Sequence, residues 1–351
     1  MAFRRQRSTE FVPYGAGYAG YCKSGVIGTF INRKTLRMNI LVVGGAGYVG
    51  GAVTDVLAQT KHKVRVYDAL LYEESYRKPV DFICGDVRDG ESLLPQLKWA
   101  DAVVWLAALV GDPACALNPE VSVEINQNSV AFLTERFDGR IVFLSTCSVY
   151  GAHDKVLDEK SELNPLSVYA FTKLMAERSF AEKNAIIFRL GTLFGVGDLF
   201  SRIRLDLVVN GLTVRAQRTG NITVFGGDQF RPLLHVRDAA RAIVDNLESP
   251  HKGIYNLHRQ NVRIIDLAYQ VRNHFPDLEI ERTEMSFQDA RNYRVSSEKA
   301  QNVLGFKAAY SIDDGIEEIK ELLETGRLRD VDNPRYTNHS FLSMHNTHLQ
   351  K

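Results

Sequence analysis

The sequence predicts an α/β protein: a doubly wound parallel sheet with a smaller, interleaved C-terminal lobe. From residue 39 onward, short apolar runs alternate with helical stretches, which is the pattern of βαβ units in a sheet covered on both faces. The first apolar run leads directly into a glycine-rich turn over 44–50, and an apolar helix begins near Gly51. A strand, a tight glycine turn and a helix, in that order, typically open such a sheet.

The individual strands follow from the apolar runs and the turn residues between them. Six runs predict the parallel strands of the main sheet: Ile40–Val43, Val64–Tyr67, Phe82–Cys84, Ala102–Leu106, Ile141–Leu144 and Ile186–Arg189. Later strands are predicted beside helices such as 236–247: Thr223–Phe225, Leu233–Val236 and Gly253–Leu257. We expect a first domain over 38–190 that receives returning segments near 231–258, an interleaved lobe over 191–330, and a tail over 331–351.

The first 37 residues differ from the main body in charge and pattern. They carry seven Lys or Arg and one acidic residue, a net charge of +6, whereas the remainder has a net charge of −5. Met38 begins the first apolar run, so residues 1–37 form an extension before the predicted fold. Three interpretations of this extension are open: an organelle presequence, an upstream-start or non-native segment, or an ordered arm between subunits. The main body lacks the basic excess of a nucleic-acid binder.

Composition places the chain among ordinary globular proteins. Of its 351 residues, 45% are hydrophobic and 24% are charged, which excludes disordered, collagen-like and coiled-coil chains. No apolar run approaches the roughly 18 residues of a membrane-spanning helix, so we expect a soluble protein. Its four cysteines lie far apart without a CxxC pair, which favours a reducing, cytoplasmic setting and gives no indication of a metal site.

The glycine turn after the first strand has the spacing of a dinucleotide-binding loop. Gly44 permits the tight turn, Gly47 lets a diphosphate approach the backbone, and Gly50 lets the helix pack closely on the strand. Tyr48 and Val49 belong to the same turn, where backbone N–H groups and the positive helix end meet the diphosphate.

The ends of the next three predicted strands supply further cofactor contacts. Asp68 ends the second strand, where a carboxylate can accept both ribose hydroxyls and repel a 2′-phosphate, so NAD is favoured over NADP. The third strand ends in Gly85-Asp86-Val87, which is suited to contacting adenine, although Asp86 also fits a solvated turn acid. Residues after the fourth strand allow the cofactor to lie close: Leu106, Ala107 and Ala108.

A tyrosine and a lysine carry the predicted chemistry. Tyr169 and Lys173 share one helix face, and the preceding strand ends in Ser145-Thr146 at the edge that faces the cofactor. A tyrosine base at neutral pH needs its pKa of about 10 to fall by roughly three units, or about 4 kcal/mol of preferential phenolate stabilisation. Lys173 and a positive nicotinamide ring can supply this, and Thr146 holds the reacting hydroxyl beside Tyr169. Ser145 and Ser148 are further candidates for cofactor and substrate contacts.

These segments resemble the extended short-chain dehydrogenase/reductase family, specifically its NAD-dependent nucleotide-sugar epimerase/dehydratase branch. The resemblance covers about 38–324 and rests on ordered motifs: GGAGYVG at 44–50, Asp68, Gly85-Asp86-Val87, Leu106-Ala107-Ala108, 145–151 and Tyr169–Lys173. It implies a Rossmann domain that binds NAD and a smaller lobe that binds the nucleoside diphosphate of a sugar substrate. It also implies a homodimer paired through two helices, one of which contains Tyr169.

The resemblance implies roles for residues outside these motifs. Asn126 matches an asparagine beside the cofactor. Thr192 replaces an asparagine that usually touches the substrate phosphate, and Arg231 matches a diphosphate-binding arginine. A second substrate-contacting segment is matched by Asp289, Arg291 and Arg294. Arg291 and Arg294 suit a diphosphate or a sugar carboxylate, and all three arginines also fit surface salt bridges.

The two residues after Thr146 narrow the choice among the reactions that the resemblance implies. The family's 4,6-dehydratases carry Asp and Glu there, whereas this chain has Cys147 and Ser148. The resemblance therefore favours an NAD-dependent nucleotide-sugar epimerase that acts at C4 through a transient 4-keto sugar. The alternative is an NAD(P)-dependent reductase or dehydrogenase of a keto sugar nucleotide. A 4,6-dehydratase and a non-catalytic NAD-binding protein are disfavoured.

Overall fold

The structure, a computed structural model, describes residues 37–198, 200, 202–284 and 292–349. The strands of this part are β1 (Asn39–Val43), β2 (Lys63–Asp68), β3 (Asp81–Cys84), β4 (Ala102–Trp105), β5 (Arg140–Thr146), β6 (Val156–Leu157), β7 (Ala185–Leu190), β8 (Thr192–Phe194), β9 (Asn221–Phe225), β10 (Phe230–His235), β11 (Gly253–Leu257), β12 (Gln260–Arg263), β13 (Glu279–Thr283) and β14 (Arg294–Val295). The helices are α1 (Tyr48–Leu57), α2 (Gly90–Trp99), α3 (Asp112–Ala116), α4 (Pro119–Val123), α5 (Ser129–Arg136), α6 (Val168–Arg178), α7 (Val208–Thr219), α8 (Val236–Asp245), α9 (Ile264–His274), α10 (Glu298–Leu304), α11 (Ile312–Glu324) and α12 (Asn338–Leu349).

The main sheet has the strand order β3-β2-β1-β4-β5-β7-β11, and every neighbouring pair is parallel. The six predicted main-sheet strands are confirmed, and the order reverses direction between β1 and β4. In such a sheet, ligands bind outside the carboxyl ends of the strands at the reversal point. The predicted doubly wound fold is therefore confirmed.

The sheet is covered on both faces, as the continuous apolar runs predicted. Ile40 and Val42 point to the side of α1 and α8, whereas Leu41 and Val43 point to the side that includes Leu93 of α2. Successive residues alternate because side chains of a strand point to opposite faces. Both faces bury mainly apolar layers, which leaves the strand ends as the place for polar chemistry.

The smaller lobe is built from segments interleaved with the sheet. Strands β12, β10 and β8 form a three-stranded sheet, and β9 pairs with β13. Between these segments the chain returns to the main sheet as β11, beside β7. Among the described helices, no segment has both the length and the apolar character that a bilayer crossing requires.

The C-terminal tail expected over 331–351 forms secondary structure. A 3₁₀ turn at Pro334–Tyr336 leads into α12, and Leu342 of this helix is 1% exposed. The apolar cluster that buries Leu342 also contains Tyr169. The tail therefore packs against the edge of the sheet where the predicted chemistry lies.

Candidate active site

One cleft of about 1080 Å³ lies at the carboxyl ends of the strands, bordered by the smaller lobe. The predicted cofactor residues in its wall are Gly44, Gly47, Tyr48, Val49, Gly50, Asp68, Asp86, Val87, Leu106, Ala107, Ala108 and Ser145. The predicted catalytic and substrate residues in its wall are Thr146, Ser148, Tyr169, Lys173, Thr192 and Arg231. The structure thus brings most of the predicted site together.

The glycine turn forms a cradle at the start of α1. Gly47 is the N-cap of this helix, and a Cβ there would meet only the carbonyl oxygen of Gly44, at 3.4 Å. The first amide N–H groups of a helix have no partner within the helix, so they are free to bind an anion. A Cβ on Gly50 would lie 2.5 Å from Gly45 Cα, so this position must stay glycine. The turn fits a diphosphate.

Tyr48 contributes to this cradle through its backbone alone. Its buried hydroxyl donates to the carbonyl oxygen of Gly195 at 2.7 Å. The side chain therefore ties α1 to the smaller lobe, and the pattern of the glycine motif gave no sign of this link.

Asp68 lies at the end of β2 and borders the glycine turn. Its carboxylate accepts hydrogen bonds from the amides of Ala46 at 2.9 Å and Leu70 at 2.7 Å. Burial raises the pKa of Asp68, while these two hydrogen bonds act in the opposite direction. Each carboxylate oxygen can accept more than one hydrogen bond, so lone pairs remain for ribose hydroxyls.

Asp86 is a paired acid at the rim of the cleft. Burial alone would raise its pKa, but hydrogen bonds and charge from Arg88, 2.7 Å away, hold the pKa of Asp86 below its usual value. Its carbonyl oxygen accepts a hydrogen bond from the Tyr67 hydroxyl at 2.9 Å. The carboxylate is therefore paired with Arg88, and the adenine contact of Asp86 stays a prediction.

Asn126 lies behind the wall of the cleft and does not line it. Its Oδ1 accepts from the amide of Leu109 at 2.8 Å, and its Nδ2 donates to the Leu109 carbonyl at 2.9 Å. A further hydrogen bond of 3.2 Å joins Nδ2 to Thr172. The amide therefore holds the loop after β4 against α6, and the cofactor contact of Asn126 stays a prediction.

Tyr169 and Lys173 lie one turn apart on α6, and both are buried at the cleft. Burial lowers the pKa of Lys173 to about 8, although the neighbouring charge of Glu177 acts to raise it. Its Nζ lies 4.5 Å above the Phe143 ring. Burial also raises the pKa of Tyr169, and a hydrogen bond with Thr146 counteracts this in part. The protein's own groups therefore keep the phenol protonated at neutral pH.

Ser145 turns its hydroxyl away from the predicted cofactor contact. Its Oγ donates to Glu177, whose carboxylate forms an ion pair of 2.6 Å with Arg189. Sequence reasoning missed Glu177 and Arg189. The available signals were an arginine inside the apolar strand β7 and a glutamate four residues after Lys173 on the same helix face.

The substrate side of the cleft contains both predicted and unpredicted residues. Ser148 Oγ lies 3.4 Å from the Tyr293 hydroxyl. Arg231 is buried and donates to the carbonyl oxygen of Phe230 at 2.8 Å. The wall residues that sequence reasoning missed include Arg202, Arg204, Asp206, Arg215 and Asn338.

One predicted substrate residue falls elsewhere, and two others are not described by the structure. Arg294 does not line the cleft; its guanidinium lies 5.0 Å above the Phe230 ring and donates to the carbonyl oxygen of Asp154. Asp289 and Arg291 lie outside the described residues. The prediction for Arg294 is therefore corrected, and those for the other two stay predictions.

Comparison with known proteins agrees with this geometry. Residues 40–257 match the model of the NAD dependent epimerase/dehydratase family. The chain is 27% identical over 317 residues to UDP-glucose 4-epimerase of Lactobacillus helveticus, covering 80% of this chain and 95% of that protein. It is 25% identical over 303 residues to UDP-glucuronic acid decarboxylase 6 of Arabidopsis thaliana, covering 81% and 88%.

A solved structure is similar over nearly its full length. MoeE5 in complex with UDP-glucose and NAD has a TM-score of 0.71 and 26% sequence identity, covering 82% of this chain and 99% of that chain. The family match spans more than half of the sequence and includes the glycine turn, Asp68, Tyr169 and Lys173. The chain therefore belongs to the NAD dependent epimerase/dehydratase family and is an extended short-chain dehydrogenase/reductase enzyme with NAD as its cofactor.

Proposed function

We propose that this enzyme is a nucleotide-sugar 4-epimerase. The observation that carries the proposal is the absence of a carboxyl group at the two positions after Thr146. Cys147 is fully buried, and its Sγ donates to the Arg189 carbonyl at 3.3 Å. Burial raises the pKa of this thiol further above its usual value. Neither Cys147 nor Ser148 can supply the acid and base that water elimination needs, whereas epimerisation needs neither.

Tyr169, Lys173 and Thr146 would carry the proton chemistry. Tyr169 takes the proton from the sugar C4 hydroxyl and later returns it, while Thr146 holds the reacting oxygen in place. NAD, when bound, would supply reversible hydride transfer at C4, through which the configuration of that carbon can be inverted. Because burial raises the pKa of Tyr169, its phenolate depends on positive charge nearby, and the Lys173 ammonium supplies that charge.

The nucleoside diphosphate would bind where the smaller lobe meets the cleft. Arg215 and Arg231 border this part, and within the described part of the chain no charged partner of Arg215 is found. Burial lowers the pKa of Arg215, which is the expected effect on an uncompensated guanidinium. Phe225 lies in the same wall and is 51% exposed, so its ring is available to a nucleobase.

A second candidate reaction is decarboxylation of a nucleotide sugar that carries a carboxylate. Two arginines, Arg202 and Arg204, border the cleft, and the charge of Arg204 acts on Tyr169. Guanidinium groups bind carboxylates well, and one relative is a UDP-glucuronic acid decarboxylase. Arg204 is already paired with Asp206 at 2.9 Å, which is why we place this candidate second.

The first experiment separates these reactions. Protein purified without nucleotide is denatured to identify the bound cofactor, and native protein is then incubated with UDP-glucose, UDP-galactose or UDP-glucuronic acid. An epimerase releases near-stoichiometric NAD and interconverts a 4-epimer pair without added cofactor. Release of carbon dioxide from UDP-glucuronic acid favours the decarboxylase, and turnover that consumes added NAD or NADPH favours the reductase or dehydrogenase.

We also propose a homodimer and a cytoplasmic location. Phe171 of α6 is 49% exposed and Leu166 just before it is 51% exposed, so this helix presents an apolar surface suited to a second copy. Cys84, Cys115 and Cys147 carry free thiols, which fits a reducing compartment. Light scattering should give twice the 39.5 kDa of one chain, and the single-chain mass would contradict the dimer.

A further inference from the structure

The C-terminal segment 334–345 is fastened to the wall of the cleft. Arg202 donates through Nε and Nη2 to the carbonyl oxygen of Arg335, at 3.2 and 3.0 Å. The amide of Leu205 donates to the carbonyl oxygen of Tyr336 at 3.0 Å. Arg335 also forms an ion pair with Glu73. These bonds join the segment to both the main domain and the smaller lobe.

The same segment reaches the catalytic tyrosine. Leu342 is 1% exposed and packs in one apolar cluster with Leu109, Cys115 and Tyr169. The ring of Phe341 lies 5.0 Å from that of Tyr72. Because the reacting carbon of the sugar must lie beside Tyr169, the segment borders the space for the sugar itself.

Asn338 is one of three residues of this segment that line the cleft, together with Thr337 and His339. Asn338 is 3% exposed. Its backbone N–H donates to Asp206 Oδ2 at 2.9 Å, and its side-chain Nδ2 donates to the Val110 carbonyl at 2.6 Å. Its Oδ1 is buried and accepts no hydrogen bond from any residue the structure describes. A buried acceptor without a donor destabilises the protein by about 1–3 kcal/mol, unless a ligand or water supplies the donor.

We propose that Asn338 is a specificity-determining residue of the sugar site, whose Oδ1 accepts a hydrogen bond from a sugar hydroxyl. The inference rests on the proposed function, in that the substrate is a nucleotide sugar. The Val110 carbonyl holds the side-chain amide of Asn338 through Nδ2, and Asp206 holds its backbone amide, so the orientation of the side chain is set before the sugar arrives. A site built around a fixed acceptor discriminates strongly against a ligand that lacks the matching donor.

The experiment compares ligands with and without the sugar. Calorimetry on the NAD-loaded full chain measures UDP, UDP-glucose and UDP-galactose with wild type, Asn338→Ala and the control Met344→Ala. Met344 lies on the same helix and is 68% exposed. We expect Asn338→Ala to bind at least one of the two UDP-sugars roughly tenfold more weakly, while its affinity for UDP stays at the wild-type value. Met344→Ala should match wild type with all three ligands.

The outcomes are distinguishable. Equal affinity of wild type and Asn338→Ala for both UDP-sugars overturns the role of Asn338, and so does an equal loss of affinity for UDP. If wild type binds neither UDP-sugar more tightly than UDP, the proposed function fails and the inference falls with it. Should Asn338→Ala lose NAD during purification, Asn338→Ser, which keeps a short polar side chain, is measured in its place with the same criteria.

Discussion

Glu177 and Arg189 form a buried ion pair at the contact between the catalytic helix and the sheet, with 2.6 Å between Oε2 and Nη2. A second bond of 3.0 Å joins Arg189 Nε to Glu177 Oε1, and the same oxygen accepts the hydroxyl of Ser145. The Arg189 Nη1 donates to the hydroxyl of Tyr150 at 3.0 Å. One carboxylate on α6 thus holds the ends of β5 and β7.

Replacing Glu177 with Gln should strongly destabilise the protein. The guanidinium of Arg189 would stay buried without its counter-charge, which costs about 3–5 kcal/mol. Urea denaturation of Glu177→Gln, compared with wild type, measures this loss. Glu182→Gln, at an exposed position just after α6, is the matched control and should unfold like wild type. The double variant Glu177→Gln/Arg189→Met should recover stability, and a double variant no more stable than Glu177→Gln would contradict this account.

Replacing Tyr169 with Phe should abolish turnover and leave the cofactor bound. The substitution removes only the hydroxyl that accepts and returns the proton, so kcat should fall by about 10²–10⁴-fold. The NAD content of the purified variant should equal that of wild type. Tyr269→Phe changes a tyrosine that is 45% exposed on α9 and should keep full activity. Full activity in Tyr169→Phe would remove the proton-transfer role.

Activity should fall as pH rises through about 8, the lowered pKa of Lys173. Below that pH the ammonium carries the positive charge that stabilises the phenolate of Tyr169, and above it the charge is lost. Arginine stays charged across this range, so Lys173→Arg should show a low rate without the decline near pH 8. The check is a profile of kcat/KM from pH 6 to 10 for both proteins. A decline at the same pH in Lys173→Arg would assign it to another group.

The parts predicted from sequence are those encoded locally. Apolar runs and a glycine turn specify β1 and α1 within a few residues, and the spacing of Tyr169 and Lys173 fixes their common helix face. The resemblance predicted that Asn126 lies beside the cofactor, and the structure places it behind the wall of the cleft. The resemblance could not indicate the direction of the side chain, because its hydrogen bond with Leu109 decides that direction.

The parts that were missed depend on contacts between distant segments. Arg202 meets the carbonyl oxygen of Arg335 across 133 residues of sequence, and Asn338 meets Val110 across 228. No local sequence pattern identifies such partners. An arginine or asparagine that makes a distant contact has the same kind of sequence neighbours as one on a solvated surface. Burial of Glu177 is likewise a property of the assembled fold.

Two glycines of the first turn should respond differently to alanine. A Cβ on Gly47 meets one atom at 3.4 Å, an ordinary contact, so Gly47→Ala should fold but weaken NAD binding by crowding the diphosphate. A Cβ on Gly50 would lie 2.5 Å from Gly45 Cα and 2.6 Å from the Gly44 carbonyl oxygen, so Gly50→Ala should lose stability as well. Thermal unfolding and bound-NAD content separate the two effects. Equal unfolding temperatures of the two variants would contradict the packing argument.

The contact between α9 and α11 should make stability depend on pH. His274 Nδ1 lies 2.6 Å from Glu317 and Nε2 lies 2.8 Å from Asp313, which also accepts from Gln270. Burial opposes the charged imidazole, but the hydrogen bonds to these carboxylates outweigh it and raise the pKa of His274 above its usual 6.5.

The stability that the charged His274 gives to the fold is therefore fully present below pH 6.5. It is lost as the pH rises through the pKa of His274 in the folded protein. The pKa of Asp313 is lowered, so this carboxyl group gains a proton only at strongly acidic pH, below the range of this measurement. The unfolding temperature of wild type should exceed that of His274→Gln most at pH 6 and least at pH 8.5. A constant difference for His274→Gln would show that the ion pairs of this histidine do not stabilise the lobe.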